Sequence, residues 1–479
     1  MADKRPNIML VFVDQWRADA LSGSGHPVVE TPHLDWLFRE GARFDQAYAA
    51  VPSCIASRAA LMTGLNQRHH GRVGYQDHVP WNYTTTLAGE LTKAGFHTQC
   101  VGKMHVSPTR ELMGFHNVVL HDGYLHANRC SERDYNLNDD YLMWLRGRHG
   151  PQADYIDAGP GCNGYSVHPW PYDEMSHPTS WVTTQAVDFL RRRDPRKPFF
   201  LKVSYHRPHP PLDPPQSYLD IYHDKKLPPV PIGDWAGGPV TGRHGLDSPK
   251  PFDPTSIERA RKAYYAHLSH IDNQVNRLVH ALYENDRIID NTLIMFTSDH
   301  GEMLFDHNRT GKSMPYDCSA RVPMLMKFPA HWKGYAARHI DAPVELRDVM
   351  PTFLEAAGVS APESLDGASL LPLCRGENAT WREYIHGEHS VGQDSNHWIT
   401  NGKEMYVWYS QSGEEQYFDL NNDPSNLKNL VREKSDRVTY LRAKLVEELD
   451  GREECYVKRK KLVAGRMPQS ILKEAGLTA

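Results

Sequence analysis

The chain has 479 residues, with 54 lysines and arginines against 59 aspartates and glutamates and a formal net charge of −5. That length allows a large buried core and exceeds one compact unit of the usual size, so two unequal parts are expected. The near-balanced charge argues against a nucleic-acid binder driven by a basic field, and any positive charge used in binding must be local.

The seven cysteines (54, 100, 130, 162, 318, 374 and 455) are scattered singly. They indicate neither a disulfide framework nor a structural zinc site, and they fit a reducing compartment. Met1 to Pro6 lead into only six apolar residues, Ile8 to Val13. That run is far short of a membrane span and lacks the cleavage region of a signal peptide, so the expectation is a cytoplasmic protein with no membrane partner.

In chain order, Ile8-Met9-Leu10-Val11-Phe12-Val13 is a continuous branched apolar run, the pattern of a buried parallel strand, and it ends at Asp14-Gln15. Pro52-Ser53 opens a helix that begins at Cys54-Ile55-Ala56-Ser57-Arg58 and runs towards Gly64. A second helical pattern spans Thr86 to Ala94. From about Gly114 to Pro178 the chain is rich in His, Tyr, Asn, Gly and Pro without steady periodicity, and reads as long loops over a sheet edge. Pro198 to Ser204 is a strand running into His206 and His209, followed by a proline-fixed loop.

Ile257 to Tyr283 carries apolar residues at three- and four-residue spacing and predicts a long helix. Thr292 to Thr297 is a third strand, running into Ser298-Asp299-His300-Gly301-Glu302. Three strands thus deliver polar clusters to what reads as one sheet edge, where open α/β sheets place their chemistry. Past Cys374 the pattern changes. Met405 to Tyr409, a turn at Ser412-Gly413 and Gln416 to Leu420 predict antiparallel strands, followed by a helix from about Lys434 to Leu449. The expected division is 1–375 for an α/β part with a large, mostly parallel central sheet, and 376–479 for a smaller α+β part. Lys458-Arg459-Lys460-Lys461 reads as a solvated face.

Several motifs occur in a fixed order: Val13-Asp14-Gln15, Cys54-Ile55-Ala56-Ser57-Arg58, Gly102-Lys103-Met104-His105, Arg207-Pro208-His209-Pro210-Pro211, Thr297 to Glu302, Gly311-Lys312, and Tyr417-Phe418-Asp419-Leu420 with Asp423-Pro424. Singly each fits an ordinary cap or turn. Together they resemble the type I, formylglycine-dependent sulfatases of the alkaline-phosphatase superfamily, closest to bacterial carbohydrate and glycosaminoglycan sulfatases. The resemblance implies an alkaline-phosphatase-like sandwich and hydrolysis of sulfate monoesters, with Cys54 oxidised to formylglycine. Hydrated, that residue has two geminal hydroxyls, one to attack sulfur and one to lose a proton so that sulfate leaves. A plain serine or cysteine could attack, but the sulfated side chain left behind would hydrolyse slowly.

By the same resemblance, Asp14, Gln15, Asp299 and His300 hold a divalent cation together with residue 54. Oxygen donors favour calcium, with manganese or magnesium as alternatives. The family often has two consecutive aspartates where this chain has Asp14-Gln15. Arg58 would order the nucleophile, Lys103 and Lys312 would grip the sulfate, His105 would take the proton that releases it, and His209 would protonate the departing alcohol. Asp299 would also orient or deprotonate the attacking hydroxyl.

Asp77, His126, His386 and His389 are candidate substrate contacts. The first follows Tyr75-Gln76, and the others lie in loops resembling those of carbohydrate sulfatases. The opening Val13 to Asp19 also resembles phosphonate monoester hydrolases, which tend to lack the Lys-x-His pair kept here as Lys103 and His105. A third reading, an inactive glycan-binding module, is disfavoured by the full set of ligands, nucleophile and histidines. Ala56, two residues after Cys54, points to an anaerobic radical maturase as the partner that installs formylglycine, because the oxygen-dependent system prefers proline there.

Overall fold

The computed structural model describes residues 5–123, 139–238 and 252–477. Its centre is an eight-stranded sheet made from β1 (Asn7–Asp14), β2 (Ala42–Phe44), β3 (His97–Gly102), β4 (Asn117–Leu120), β5 (Phe199–Pro208), β6 (Thr292–Ser298), β7 (Met324–Lys327) and β8 (Arg338–Ile340). The spatial order is β4-β3-β5-β1-β6-β7-β2-β8. The five strands from β4 to β6 are mutually parallel, and β7 is antiparallel to both its neighbours.

The helices used below are α1 (Cys54–Thr63), α2 (Leu87–Lys93), α3 (Asp140–His149), α4 (Pro178–Arg192), α5 (Pro254–Glu284), α6 (Val349–Ala356) and α7 (Ser435–Leu449). Strand β1 is buried along its whole length because both its faces are covered. Met9, Val11 and Val13 pack with Trp181, Leu190, Tyr264, Leu268 and Val275 of α4 and α5. Ile8, Leu10 and Phe12 face the opposite layer with Ile55, Leu87, Leu91 and Phe353 of α1, α2 and α6. The alternation of β1 side chains therefore seats one strand between two cores. Its carboxyl end opens between β5 and β6, the two strands that share its polar ends.

The stretch from Gly114 to Pro178 is not all loop, which corrects the sequence expectation: it contains β4 and the helix α3. Asp139 caps α3 by accepting the Tyr141 N–H, and Tyr141, Leu142 and Leu145 form its single buried face.

The second sheet lies beyond Cys374. It is fully antiparallel, in the order β9 (Ile385–His389), β10 (Asn396–Thr400), β11 (Glu404–Tyr409) and β12 (Glu415–Asp419). Ile399, Tyr406, Trp408 and Tyr417 on one face bury Val438, Leu441, Leu445 and Leu449 of α7. Trp398, Met405, Val407 and Phe418 on the other face pack on Tyr48, Met303, Met314 and Tyr316. That second contact joins the small sheet to the chain segment following β6.

Candidate active site

The expected convergence occurs. Asp14 ends β1, Asp299 and His300 follow β6, His209 follows β5, and Lys103 follows Gly102 at the end of β3. Gly102 has φ +96°, and a Cβ there would lie 2.0 Å from the Ser204 carbonyl oxygen, so the chain turns at this point only as glycine. Cys54 is the first residue of α1, whose N-terminal amides favour negative charge. Its Sγ lies 3.6 Å from Asp14 Oδ1 and 3.1 Å from His300 Nε2. Arg58, one turn further along, donates from Nε and Nη2 to Asp299 Oδ2 at 3.1 and 2.9 Å, and from Nη1 to the Lys103 carbonyl and the Ser204 hydroxyl.

Charge is concentrated and buried here. Lys103 Nζ pairs with Asp14 Oδ2, with neither side chain exposed. Burial alone would raise the Asp14 carboxyl, but Lys103, His209, His300 and Arg58 hold it well below the usual carboxylate range. Asp299 is pushed up, by burial and by Asp14 beside it. For the Cys54 thiol, burial and Asp14 act upward, yet Lys103, Lys312 and His300 outweigh them and hold it well below its ordinary range.

Donor atoms from Asp14, Cys54, Asp299 and His300 lie within 4.8 Å of one another, and all four residues are buried. His300 Nδ1 donates to the Gly301 carbonyl at 2.8 Å, so Nε2 is the ring nitrogen turned towards the Asp14 and Asp299 carboxylates. The Gln15 N–H is held by Asp299 Oδ1 at 3.0 Å, and the Gln15 side-chain oxygen accepts from Lys312 Nζ at 2.9 Å. Two carboxylates, an amide oxygen and an imidazole nitrogen suit a hard divalent cation.

Lys312 Nζ also lies 2.8 Å from His209 Nε2, while His209 Nδ1 donates to the Pro210 carbonyl at 2.9 Å. Burial and Lys312 keep His209 well below the usual histidine range. The loop carrying it is anchored by Arg207, which donates to both Asp213 carboxylate oxygens at 2.7 Å.

Asp77 reaches the site through His105. Its Oδ1 lies 3.2 Å from His105 Nε2, and its Oδ2 accepts from the Tyr75 hydroxyl at 2.6 Å. Burial and Lys103 act downward on His105, but the bonds to Asp77 and Cys54 raise it overall. The His105 backbone, at φ 58°, is fixed by Asp122 Oδ1, which accepts the N–H groups of Met104 and His105.

His126 lies outside the described residues. His389 is buried at the end of β9, and the next residue, Ser390, donates its N–H to the Val73 carbonyl close before Tyr75. His386 stacks on His397 and meets Gln67, in a cluster around the Glu388–Arg452 ion pair. Sequence reasoning gives no role to Ser204, Tyr165 or Glu302, and reads Asp122 only as the start of the His126 loop that resembles those of carbohydrate sulfatases. Among the first three, Glu302 alone carries a signal, its place in the Asp299–Glu302 motif.

Comparison with known proteins follows the same lines. A family model described as Sulfatase matches residues 6–359, and a second, described as N-sulphoglucosamine sulphohydrolase, C-terminal, matches 304–454. An arylsulfatase of Clostridium perfringens is 50% identical over 479 residues, covering 98% of this chain and 99% of that protein. Among solved structures, a phosphonate monoester hydrolase of Agrobacterium radiobacter superposes with a TM-score of 0.76 at 24% identity, covering 93% of this chain and 95% of that one. A protein solved in complex with its substrate D-glucosamine-2-N,6-O-disulfate gives 0.73 at 22% identity, covering 93% and 97%. At those identities the two structures speak for the fold.

Asp77→Asn is expected to lower the His105 pKa, because it removes a carboxylate that favours the imidazolium, and to lower kcat by about ten- to a hundredfold, the usual cost of losing a carboxylate that orients a histidine. Histidine ring NMR titration beside steady-state kinetics checks both; an unmoved titration would show that the contact is idle.

Proposed function

Because the chain belongs to the sulfatase family and is a sulfuric ester hydrolase, we propose that it removes sulfate from a sulfated saccharide, with calcium as its cation. The observation that carries the reading is the Cys54 side chain at the N-terminus of a buried helix, between Asp14 and His300 and within the field of two lysines. The saccharide class is supported by the disulfated glucosamine bound in one structural neighbour.

The family implies a metal ion and formylglycine. Matured and hydrated, residue 54 would supply the attacking oxygen and its own route of release; Asp14, Gln15, Asp299, His300 and residue 54 would hold the cation, which would supply positive charge there. This chain's own groups do the rest. Arg58 clamps Asp299 so that one carboxylate oxygen stays aimed at the nucleophile. Lys103 and Lys312 place fixed positive charge where sulfate oxygens gather charge in the transition state. His209 has its Nδ1 proton committed to the Pro210 carbonyl and its Nε2 beside the Lys312 ammonium, so the proton for the departing alcohol comes from the Lys312–His209 pair, with Lys312 as its source. His105, backed by Asp77, receives the proton whose removal frees sulfate.

A phosphonate ester is the second reading, favoured by the likeness to the phosphonate monoester hydrolase fold, and the retained Lys103 and His105 weigh against it. We further infer that the chain is matured by an anaerobic radical enzyme and works in the cytoplasm, from Ala56 and from the scattered cysteines.

Rates on an aryl sulfate, an aryl phosphonate and sulfated disaccharides, with Cys54→Ala as the inactive control, decide between the readings. Sulfates are expected to lead, and a phosphonate preference of several orders would reverse the assignment. Replacing His209 with alanine is expected to slow sugar sulfates far more than aryl sulfates, since a phenol leaves with little help from an acid; equal losses would remove the general-acid role. Co-expression with a radical maturase is expected to raise activity and to lower the mass of the Cys54 peptide by about 18 Da as sulfur and two hydrogens give way to oxygen. Full activity in a sample that keeps its thiol would rule out formylglycine as the nucleophile.

A further inference from the structure

Glu302 takes no part in the chemistry assigned above, yet it is only 1% exposed and is surrounded by donors. Its Oε1 accepts the N–H groups of Leu304 and Gly311, each at 2.7 Å. The Tyr165 hydroxyl lies 3.0 Å from both oxygens, and the Gln15 side-chain nitrogen donates to Oε2. A carboxylate, which only accepts, can satisfy all of these donors at once.

This arrangement decides how Gln15 points. A side-chain amide has one NH2 group and one oxygen on opposite branches, so an amide that gives its NH2 to Glu302 turns its oxygen away from it. In the structure that oxygen accepts from Lys312 Nζ, while the Gln15 backbone N–H is tied to Asp299 Oδ1. At φ 69° the backbone of Gln15 also departs from the usual extended path at a strand end. Gly311, whose N–H Glu302 receives, immediately precedes Lys312, so one buried carboxylate sets both partners of the Gln15–Lys312 contact.

We propose that Gln15 and Glu302 are a matched pair, in which Glu302 is a positioning residue that keeps the oxygen of Gln15, and not its nitrogen, turned towards the cation site. The negative charge that a second aspartate would bring to the site is thereby set one side chain further back. The inference rests on the reading of Asp14, Asp299 and His300 as cation ligands.

The pair makes a substitution pattern that mere packing does not. In Glu302→Gln the new oxygen can still accept from Leu304 and Gly311, so the loop is kept. Its NH2, however, meets the NH2 of Gln15, and Gln15 must turn over and set its nitrogen against Lys312 and the cation. In the double variant Gln15→Glu/Glu302→Gln the same two side-chain lengths carry the opposite groups. The amide introduced at position 302 donates to one oxygen of the carboxylate introduced at position 15, and the other oxygen of that carboxylate faces the site.

The test is calorimetric titration of the full chain, stripped of bound metal, with calcium chloride, alongside thermal unfolding of each variant. Glu302→Gln is expected to weaken calcium binding by about ten- to a hundredfold, the range for loss of a partner that orients a ligand. The swapped double variant is expected to recover to within about threefold of the wild type, as coupled neighbours do when their interaction is restored. Wild-type affinity in Glu302→Gln, or a double variant no tighter than the single one, overturns the pairing. If Glu302→Gln fails to fold, the double variant decides: folding and calcium binding by the swap support the pair, and failure of both variants overturns it. A wild-type chain that takes up no divalent cation would overturn the cation-site reading itself, and the pair with it.

Discussion

Two carboxylates, Asp14 and Asp299, are buried side by side at the ends of adjacent parallel strands, and the rest of the site is built to make that tolerable. An uncompensated buried charge costs several kcal/mol even after relaxation. Here each aspartate has its own cation: Lys103 on Asp14 and Arg58 on Asp299, with Arg58 also bound to the Lys103 carbonyl so that the two compensating residues hold each other in place. The donor atoms of Asp14, Cys54, Asp299 and His300 still lie within 4.8 Å of one another, a grouping that suits a further positive charge. In the proposed reaction the lysine that stabilises Asp14 also meets the negative charge of the sulfate, so ground-state stability and binding would be served by one set of side chains.

Such a set works only if its members cannot relax, and the surrounding layer removes their freedom one group at a time. Asp122 fixes the backbone of Met104 and His105 through two N–H bonds, Asp77 and Tyr75 hold the His105 ring, Arg207 and Asp213 lock the loop of His209, and Glu302 orients Gln15. Groups that would otherwise reorganise during the reaction are oriented in advance, which is how fixed dipoles in a dry site contribute most.

The features legible in the sequence are those with a local pattern. β1, β5 and β6 can be read because each is a run of apolar residues with a polar group at its carboxyl end, and α5 because its apolar positions recur with helical spacing over many turns. The short strands β2, β7 and β8 have three or four residues each and carry no period to read. Helix α3 is hidden by its setting, ten residues with a single buried face inside a stretch dominated by His, Asn, Gly and Pro. Pairings across the chain leave no trace at all. Asp77 meets His105 across 28 positions and Gln15 meets Glu302 across 287, and nothing in spacing or composition joins such partners before the strands bring them together. From the sequence alone, therefore, Asp77 reads as a substrate contact and Glu302 has no role.

The small antiparallel sheet shares in this support although none of the assigned ligands or proton-transfer groups lies on it. Its inner face packs on Met303, Met314 and Tyr316, which flank the turn that carries Lys312, and Asn396 of β10 donates to the Ser313 carbonyl at 3.1 Å. Ser313 in turn donates its N–H to the Pro52 carbonyl, two residues before Cys54, while Glu388 of β9 donates its N–H to the Ala50 carbonyl. The segment leading into Cys54 and the loop bearing Lys312 are therefore fastened to the same sheet and to each other. A loop with a lysine at its tip would ordinarily be free to sample many positions. Held between β10 and the approach to α1, it has few, and the distance between Lys312 and residue 54 becomes a property of how the two sheets pack. The boundary between the large and small parts of the chain runs through the active site's support, so the geometry of the site depends on both.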